Sequence, residues 1–370
     1  MSATKYPPKD AGLERLITER RSCWERLKAE QRPIFIYGMG DGAAKIMSAF
    51  ERFGIPVAGI FASDAFVRGH SFAGFRVHKL SEIEEQVEDP VIVLAFAAGY
   101  PELVDYIRAL SKRHTLYVPD VPVIGGGLFD YQYCMAHLQE LNEVYRSLAD
   151  DESRRVYLNV IQFKISGDMR YLDDVTASTD DIYKKILRPT RGESYVDLGA
   201  YNGDTIRELL HYTGQHYSRI WAVEPDKKNH KKLAAFVEGN AMHRIHLYQC
   251  AAWCKDTELP FSAKSGRQSV LAAGENAELM PARCVDTLLG GAPASLIKMD
   301  VEGYEREALW GASRTIAHHR PKLAVAMYHR NEDIFELPLL VKRLCPAYKL
   351  YVRHRLYIPA WETNLYAVAD

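Results

Sequence analysis

Short apolar runs alternate with helical patterns in two separate stretches of this chain, and that alternation restricts its fold more than any other feature. Ile34-Phe35-Ile36-Tyr37 is followed at once by Gly38-Met39-Gly40-Asp41-Gly42-Ala43, and a helical pattern runs on through Ile46, Met47 and Phe50 to Phe53. Gly54 and Pro56 stop it. Residues 57–61, 91–96 and 114–118 read as further strands, with a helix opening near Pro101, where a missing amide costs no hydrogen bond. This pattern predicts a small parallel α/β unit over 33–120. A second alternation begins at Ser194. Strands are expected at 194–199, 219–224, 245–250, 294–299, 322–328, 347–353 and 363–369, with helices at 204–213, 227–238 and 303–318. The last two strands lie too close for a helix between them, so they predict an antiparallel hairpin at the sheet edge.

Residues 9–31 are rich in Arg, Glu and Leu and predict a lead-in helix. Leu138, Leu141, Val144, Tyr145 and Leu148 fall at helical spacing, and 156–165 reads as a further amphipathic run. The expected organisation is a helical lead-in (1–32), a smaller N-terminal Rossmann-like α/β domain (33–125), a helical connector or cap (126–192) and a second α/β domain (193–370). Lys plus Arg number 47 and Asp plus Glu 48 in 370 residues, a balance that argues against a nucleic-acid groove. No run approaches the ~20 apolar residues of a membrane span, and no apolar signal region follows Met1. Six scattered cysteines suit a reducing, cytoplasmic setting. Cys250 and Cys254 lack the partners of a zinc site.

The segment richest in chemistry is Tyr195-Val196-Asp197-Leu198-Gly199-Ala200-Tyr201-Asn202-Gly203-Asp204-Thr205. Asp197 nears the carboxyl end of a strand, where ligands collect on an open α/β sheet, and can hold an amino group directly or through water. Gly199 lets backbone approach a ligand, Gly203 permits a tight turn, and Asp204 or Thr205 can cap the following helix. Glu224, ending the next strand, can accept from both hydroxyls of a ribose, and Pro225 presets the turn behind it. Ala251 and Ala252 leave room for an adenine ring. A nicotinamide site also combines a glycine loop with a ribose carboxylate, and tight turns with only a structural purpose are a further alternative.

These residues are part of an ordered set: VDLGAYNGDT at 196–205, AVEPD at 222–226, CVDTLL at 284–289, IKMDVEGYEREALWGA at 297–312, PKLAVAMYHR at 321–330 and NLYAVA at 364–369. Together they resemble the FkbM family of S-adenosylmethionine-dependent methyltransferases over about half the chain. The resemblance implies a class I, seven-stranded, Rossmann-like methyltransferase domain. It also implies S-adenosyl-L-methionine as cofactor, S-adenosyl-L-homocysteine as product, and usually O-methylation. Acceptors in such a family include sugars, glycan precursors and natural products. The N-terminal part resembles an extension found in some bacterial members.

At the reacting end, strand alternation puts Lys298 and Asp300 on one side, with Asp300 and Glu302 at the strand-to-helix turn. Either carboxylate can orient an acceptor or act as base; a buried charge pair with Lys298 and a helix cap by Glu302 are the structural alternatives. His329, after a further strand, is also placed as a general base. His354, between Arg353 and Arg355, is expected at the same mouth, and Arg267 and Ser269 in a loop closing over substrate. Spacing alone gives no diagnostic metal site, so none is expected. Gly38 and Gly40, with Asp64 beyond the second strand, form a dinucleotide-like turn. That turn offers either a second nucleotide or substrate site, hence a nucleotide-dependent sugar-modifying enzyme or oxidoreductase, or a module for recognition or homodimerisation. A non-catalytic scaffold is the third alternative. The expected partner is a small-molecule or carbohydrate-like acceptor.

Overall fold

The computed structural model describes residues 8–67, 69, 71–262, 270–271 and 278–369. Eighteen strands are found among them. The first sheet holds β1 (Ile34–Tyr37), β2 (Gly59–Phe61), β3 (Ser71–Phe72), β4 (Phe75–His78), β5 (Val91–Leu94) and β6 (Leu116–Tyr117), in the order β3-β4-β2-β1-β5-β6. All its pairs are parallel except β3 with β4. Every residue of β1 and β5 is buried, as expected of central parallel strands covered on both faces.

The second sheet holds β7 (Thr176–Ala177), β8 (Ser194–Leu198), β9 (Arg219–Val223) and β10 (Ile245–Tyr248). The short strands β11 (Ala251–Ala252), β12 (Thr257–Ser262), β13 (Val270–Leu271) and β14 (Glu278–Arg283) follow and form a separate four-stranded sheet. Strands β15 (Leu296–Met299), β16 (Lys322–Ala326), β17 (Lys349–Arg355) and β18 (Thr363–Val368) complete the second sheet in the order β10-β9-β8-β15-β16-β18-β17-β7. Its chain path leaves β8 outward through β9 and β10, then returns to β15 on the other side. That reversal opens a crevice at the carboxyl ends of β8 and β15.

Seven of these eight strands match the expected series; the eighth, β7, comes from the helical region and pairs in parallel with β17. It covers the edge at which the hairpin was expected to end. β18 lies between β16 and β17, antiparallel to both.

Three expectations about helices change. The lead-in divides into Leu13–Leu16 and Cys23–Ala29, because Ser22 and Glu25 form a capping box that starts the second helix afresh. The 303–318 helix divides into Glu305–Gly311 and Ser313–His319. The run at 156–165 belongs to a helix, Asp151–Ser166, that is buried nearly all round. Its polar residues are matched by partners: Gln162 accepts from the Thr18 amide at 2.9 Å, and Lys164 meets Asp120 at 2.6 Å.

This helix joins the two α/β units. One core runs from Leu13, Ile92 and Leu94 through Tyr157 and Ile161 to Leu198, Val325 and Ala367. Two further clusters cover the outer faces of the sheets. The helix Asp333–Leu344, which sequence periodicity missed, carries Pro338 internally. A proline there deprives the Ile334 carbonyl of its amide partner. The Tyr157 hydroxyl of the connecting helix donates to that carbonyl at 3.1 Å.

Candidate functional site

A cavity of about 1050 Å³ lies along the carboxyl edge of the second sheet. Its lining follows the strand order. Gly199, Tyr201, Asp204 and Thr205 follow β8, Glu224 and Pro225 follow β9, and Ala251, Ala252 and Trp253 come after β10. Lys298 lies on β15, with Asp300 and Glu302 just beyond it; Tyr328 and His329 follow β16. Arg355, Tyr357, Trp361 and Glu362 belong to the β17–β18 end.

Seven of the eleven expected cofactor residues therefore reach the cavity; Asp197, Ala200, Asn202 and Gly203 are outside its lining. Asp197 is fully buried; one carboxylate oxygen accepts from Thr205 Oγ1 at 2.5 Å, and the other lies 3.5 Å from Lys298 Nζ without a hydrogen bond. Burial raises the pKa of its carboxyl, against the pull of Lys298 and the Thr205 hydroxyl. Asp197 thus lies one side chain back from the cavity, behind Lys298, which lines it. Ala200 donates its amide to Val223, Asn202 accepts from Arg207, and Gly203 packs where a Cβ would meet Phe236 at 2.5 Å.

Gly199 is required by geometry. Its φ is +80°, and an added Cβ would lie 1.9 Å from the Asp300 carbonyl oxygen. Lys298 Nζ donates to the Gly199 carbonyl at 2.8 Å, which fixes the loop to β15. Glu224 is 6% exposed; its two oxygens accept from the amides of Tyr201 at 2.8 Å and Asp226 at 2.9 Å. Burial pushes its pKa up to about 7, even with those amides favouring the anion. Each carboxylate oxygen keeps a lone pair for a ligand hydroxyl. A buried acid facing the cavity, close backbone at Gly199 and two alanines after β10 fit a nucleoside-bearing cofactor.

The acidic corner is more tightly built than spacing implied. His329 is 1% exposed; its Nδ1 lies 3.0 Å from Glu305, and its Nε2 lies 3.5 Å from both Asp300 and Glu302. Burial alone would lower the imidazole pKa, but Glu305, Asp300 and Glu302 together raise it to about 10. The three carboxylates thus favour the protonated imidazole, a state suited to balancing their charge. Glu302 has φ +55° and precedes Gly303 at +92°, so two left-handed residues turn its carboxyl back toward the cavity. Burial pushes its pKa up to about 7, opposed by His329 and reinforced by Asp300 and Glu305. Asp300, Glu305 and His329 bring ligand-type atoms within 4.8 Å of one another, a group that could hold a metal ion.

Other expected residues lie elsewhere. His354 is fully buried behind the mouth, bonded to Thr363 and to the Tyr357 carbonyl, and burial lowers its pKa to about 4. Its neighbour Arg355 lines the cavity, paired with Glu208 at 3.1 Å. Gly38, Gly40 and Asp64 are outside the lining. Gly38 instead allows β1 to pass the Phe96 ring, 2.8 Å from where its Cβ would lie. Arg267 and Ser269 lie outside the described residues. The aromatic residues at the β17–β18 end escaped sequence reading because no periodicity distinguishes a cavity-facing ring from a core one. Among the described residues, no helix is long and apolar enough to cross a membrane.

Residues 197–358 match the family model described as methyltransferase FkbM domain. A comparison with curated proteins finds no match. Among solved structures, methyltransferase FkbM from Methylobacillus flagellatus KT is similar at 22% identity and TM-score 0.71, covering 96% of this chain and 93% of that one. An rRNA methylase from Streptococcus thermophilus is similar at 12% identity and TM-score 0.34, over 52% of this chain and 93% of that one. The first likeness concerns the whole α/β architecture, while the family match covers the strand tips that form the cavity. Residues 197–358 are a methyltransferase FkbM domain, and the chain is an S-adenosylmethionine-dependent methyltransferase.

Proposed function

We propose that this enzyme methylates a hydroxyl oxygen of a sugar, glycan precursor or small natural product. The observation that carries this reading is Glu302, a carboxyl that faces the cavity with its pKa pushed up to about 7. A base tuned to the working pH is what a neutral hydroxyl acceptor needs. We read the second sheet as a class I methyltransferase sheet of seven strands extended by β7, and the first unit, 33–125, as Rossmann-like. The region 126–192 is its connector, and 193–370 the catalytic domain.

Glu224 would hold the ribose hydroxyls, the Gly199–Tyr201 backbone the amino-acid end, and Ala251 to Trp253 the base. When bound, S-adenosylmethionine supplies a methyl group on a positively charged sulfur. Glu302 takes the hydroxyl proton, and Asp300 orients the acceptor. Protonated His329 balances both carboxylates and is itself oriented by Glu305. Lys298 and Asp197 act by position, through the loop after β8. Much of the rate then comes from orientation and exclusion of water. Calorimetry with S-adenosylmethionine, followed by transfer of a labelled methyl group to cell-extract glycans and small molecules, tests the reading. Cofactor binding with label appearing only on nitrogen or on protein would refute it.

The ribose assignment has its own pH signature. Only ionised Glu224 accepts from two hydroxyls, and its pKa in the free protein is about 7. Cofactor affinity should therefore fall as pH drops through 7, by about tenfold between pH 8 and pH 6. Calorimetry across that range checks it; Glu224→Gln should bind more weakly and lose the pH dependence. A wild-type affinity flat with pH removes Glu224 from the ribose.

A further inference from the structure

The cavity extends well past the part that a nucleoside cofactor would fill. Glu224 follows β9 and Tyr357 follows β17, with β8, β15, β16 and β18 between them in the sheet. Five strand spacings of about 4.8 Å put these ends roughly 24 Å apart. Asp300, Glu302 and His329 lie after β15 and β16, in the middle. The β17–β18 end is thus on the far side of the reacting corner from the cofactor residues.

That far end is walled partly by the first α/β unit. The segment after β5 brings Ala97, Gly99 and Tyr100 to the lining. It is fastened there by two reciprocal backbone bonds: Ala98 N–H donates to the Ile358 carbonyl at 2.7 Å, and Ile358 N–H to the Ala98 carbonyl at 2.8 Å. Gly99 lies against the Tyr357 ring, so closely that an added Cβ would be 2.6 Å from two ring carbons. Tyr357 in turn stacks with Trp361, ring centroids 6.2 Å apart and planes 25° from parallel. Tyr100 is 73% exposed and lines the cavity, so its ring is open to a ligand there. Charged groups accompany these rings in the lining: Glu362 beside Trp361, and Arg355 held by Glu208 and Thr179.

We infer that Tyr100, Tyr357 and Trp361 form an acceptor platform for a carbohydrate ring, and that the first α/β unit serves acceptor recognition through Tyr100 and Gly99. A pyranose has an apolar face of C–H groups and an edge of hydroxyls. Aromatic rings match the first, and a carboxylate with a guanidinium matches the second. A wholly apolar acceptor would cover the Glu362 carboxyl without offering it a hydroxyl, which costs affinity. This inference rests on the hydroxyl-methylation reading and assigns its substrate class to named residues.

Saturation-transfer NMR on the full chain saturated with S-adenosylhomocysteine tests it. The probes are methyl α-D-glucopyranoside, methyl α-D-mannopyranoside and methyl α-D-galactopyranoside, with p-cresol as an aromatic control. Ring C–H signals of at least one glycoside should show transfer. That transfer should fall at least about fivefold in Tyr100→Ala and in Trp361→Ala, while calorimetry gives an unchanged S-adenosylhomocysteine affinity in both. Tyr100→Ala alters an exposed side chain, so its fold is kept. Transfer to p-cresol alone, to no probe, or undiminished in both variants overturns the platform. Failure of S-adenosylhomocysteine to bind wild-type protein refutes the underlying methyltransferase site instead.

Discussion

Glu302→Gln is expected to lower kcat by about 10²–10⁴-fold, the usual worth of a positioned general base. Glutamine keeps the shape of the side chain and its hydrogen-bonding capacity but cannot take a proton. Cofactor affinity should stay within about twofold, because Glu224 and the Gly199 loop lie on other strand tips. The pH profile provides the sharper check. Glu302 faces His329 at 3.5 Å, and Asp300, Glu305 and Lys298 contribute to its field. Its pKa is about 7, and a base must be ionised to act. Wild-type kcat should therefore rise with pH to a plateau above 7 and be lost as pH falls below it. The residual activity of Glu302→Gln should lack that bend. A variant with near wild-type kcat, or with the same bend at reduced rate, would transfer the role to another group, Asp300 first.

Lys298→Met should destabilise the fold by about 3–5 kcal/mol, as removal of one partner from a buried charge pair does. Lys298 Nζ donates to the Gly199 carbonyl at 2.8 Å and lies 3.5 Å from Asp197 and 4.0 Å from Asp300. Burial works against its charge, but Asp197 and Asp300 together raise its pKa. Without it, Asp197 is left fully buried with the Thr205 hydroxyl as its one side-chain hydrogen-bond partner among the described residues. The loop after β8 also loses its tie to β15, so cofactor binding should weaken with stability. Denaturant midpoints measure the first effect and calorimetry the second. Adding Asp197→Asn removes the stranded charge and should recover part of the stability, an interaction read as a double-mutant cycle. A single-variant loss below about 1 kcal/mol would mean that solvent reaches and screens this pair.

The helix Asp204–Thr213 spans the expected residues, entered through the turn at Gly203. Strands β1 and β8 start at the expected residues, because runs of buried apolar residues bounded by glycine are local signals. The helix Asp333–Leu344 was hidden for a physical reason: Pro338 reads as a break unless something else satisfies Ile334. That partner, Tyr157, is 177 positions away. The strand β7, only two residues long, carries too little pattern to be seen before β17 is beside it.

The sequence by itself determined the two α/β alternations, the need for glycine at 199, and the acidic residues at three strand tips. Those are properties of neighbouring residues, set by steric limits on φ and by the two- and 3.6-residue periods of side-chain burial. Only the tertiary structure decided which acids face the cavity. It buried Asp197 behind Lys298 and Glu224 beside the opening, and it surrounded His329 with three carboxylates so that the imidazole keeps its proton. A pKa depends on burial and on charges brought together across the fold, and neither quantity is a function of local sequence. The same holds for the wall at Gly99 and Tyr100, which exists because β5 of one sheet delivers its loop to the edge of another.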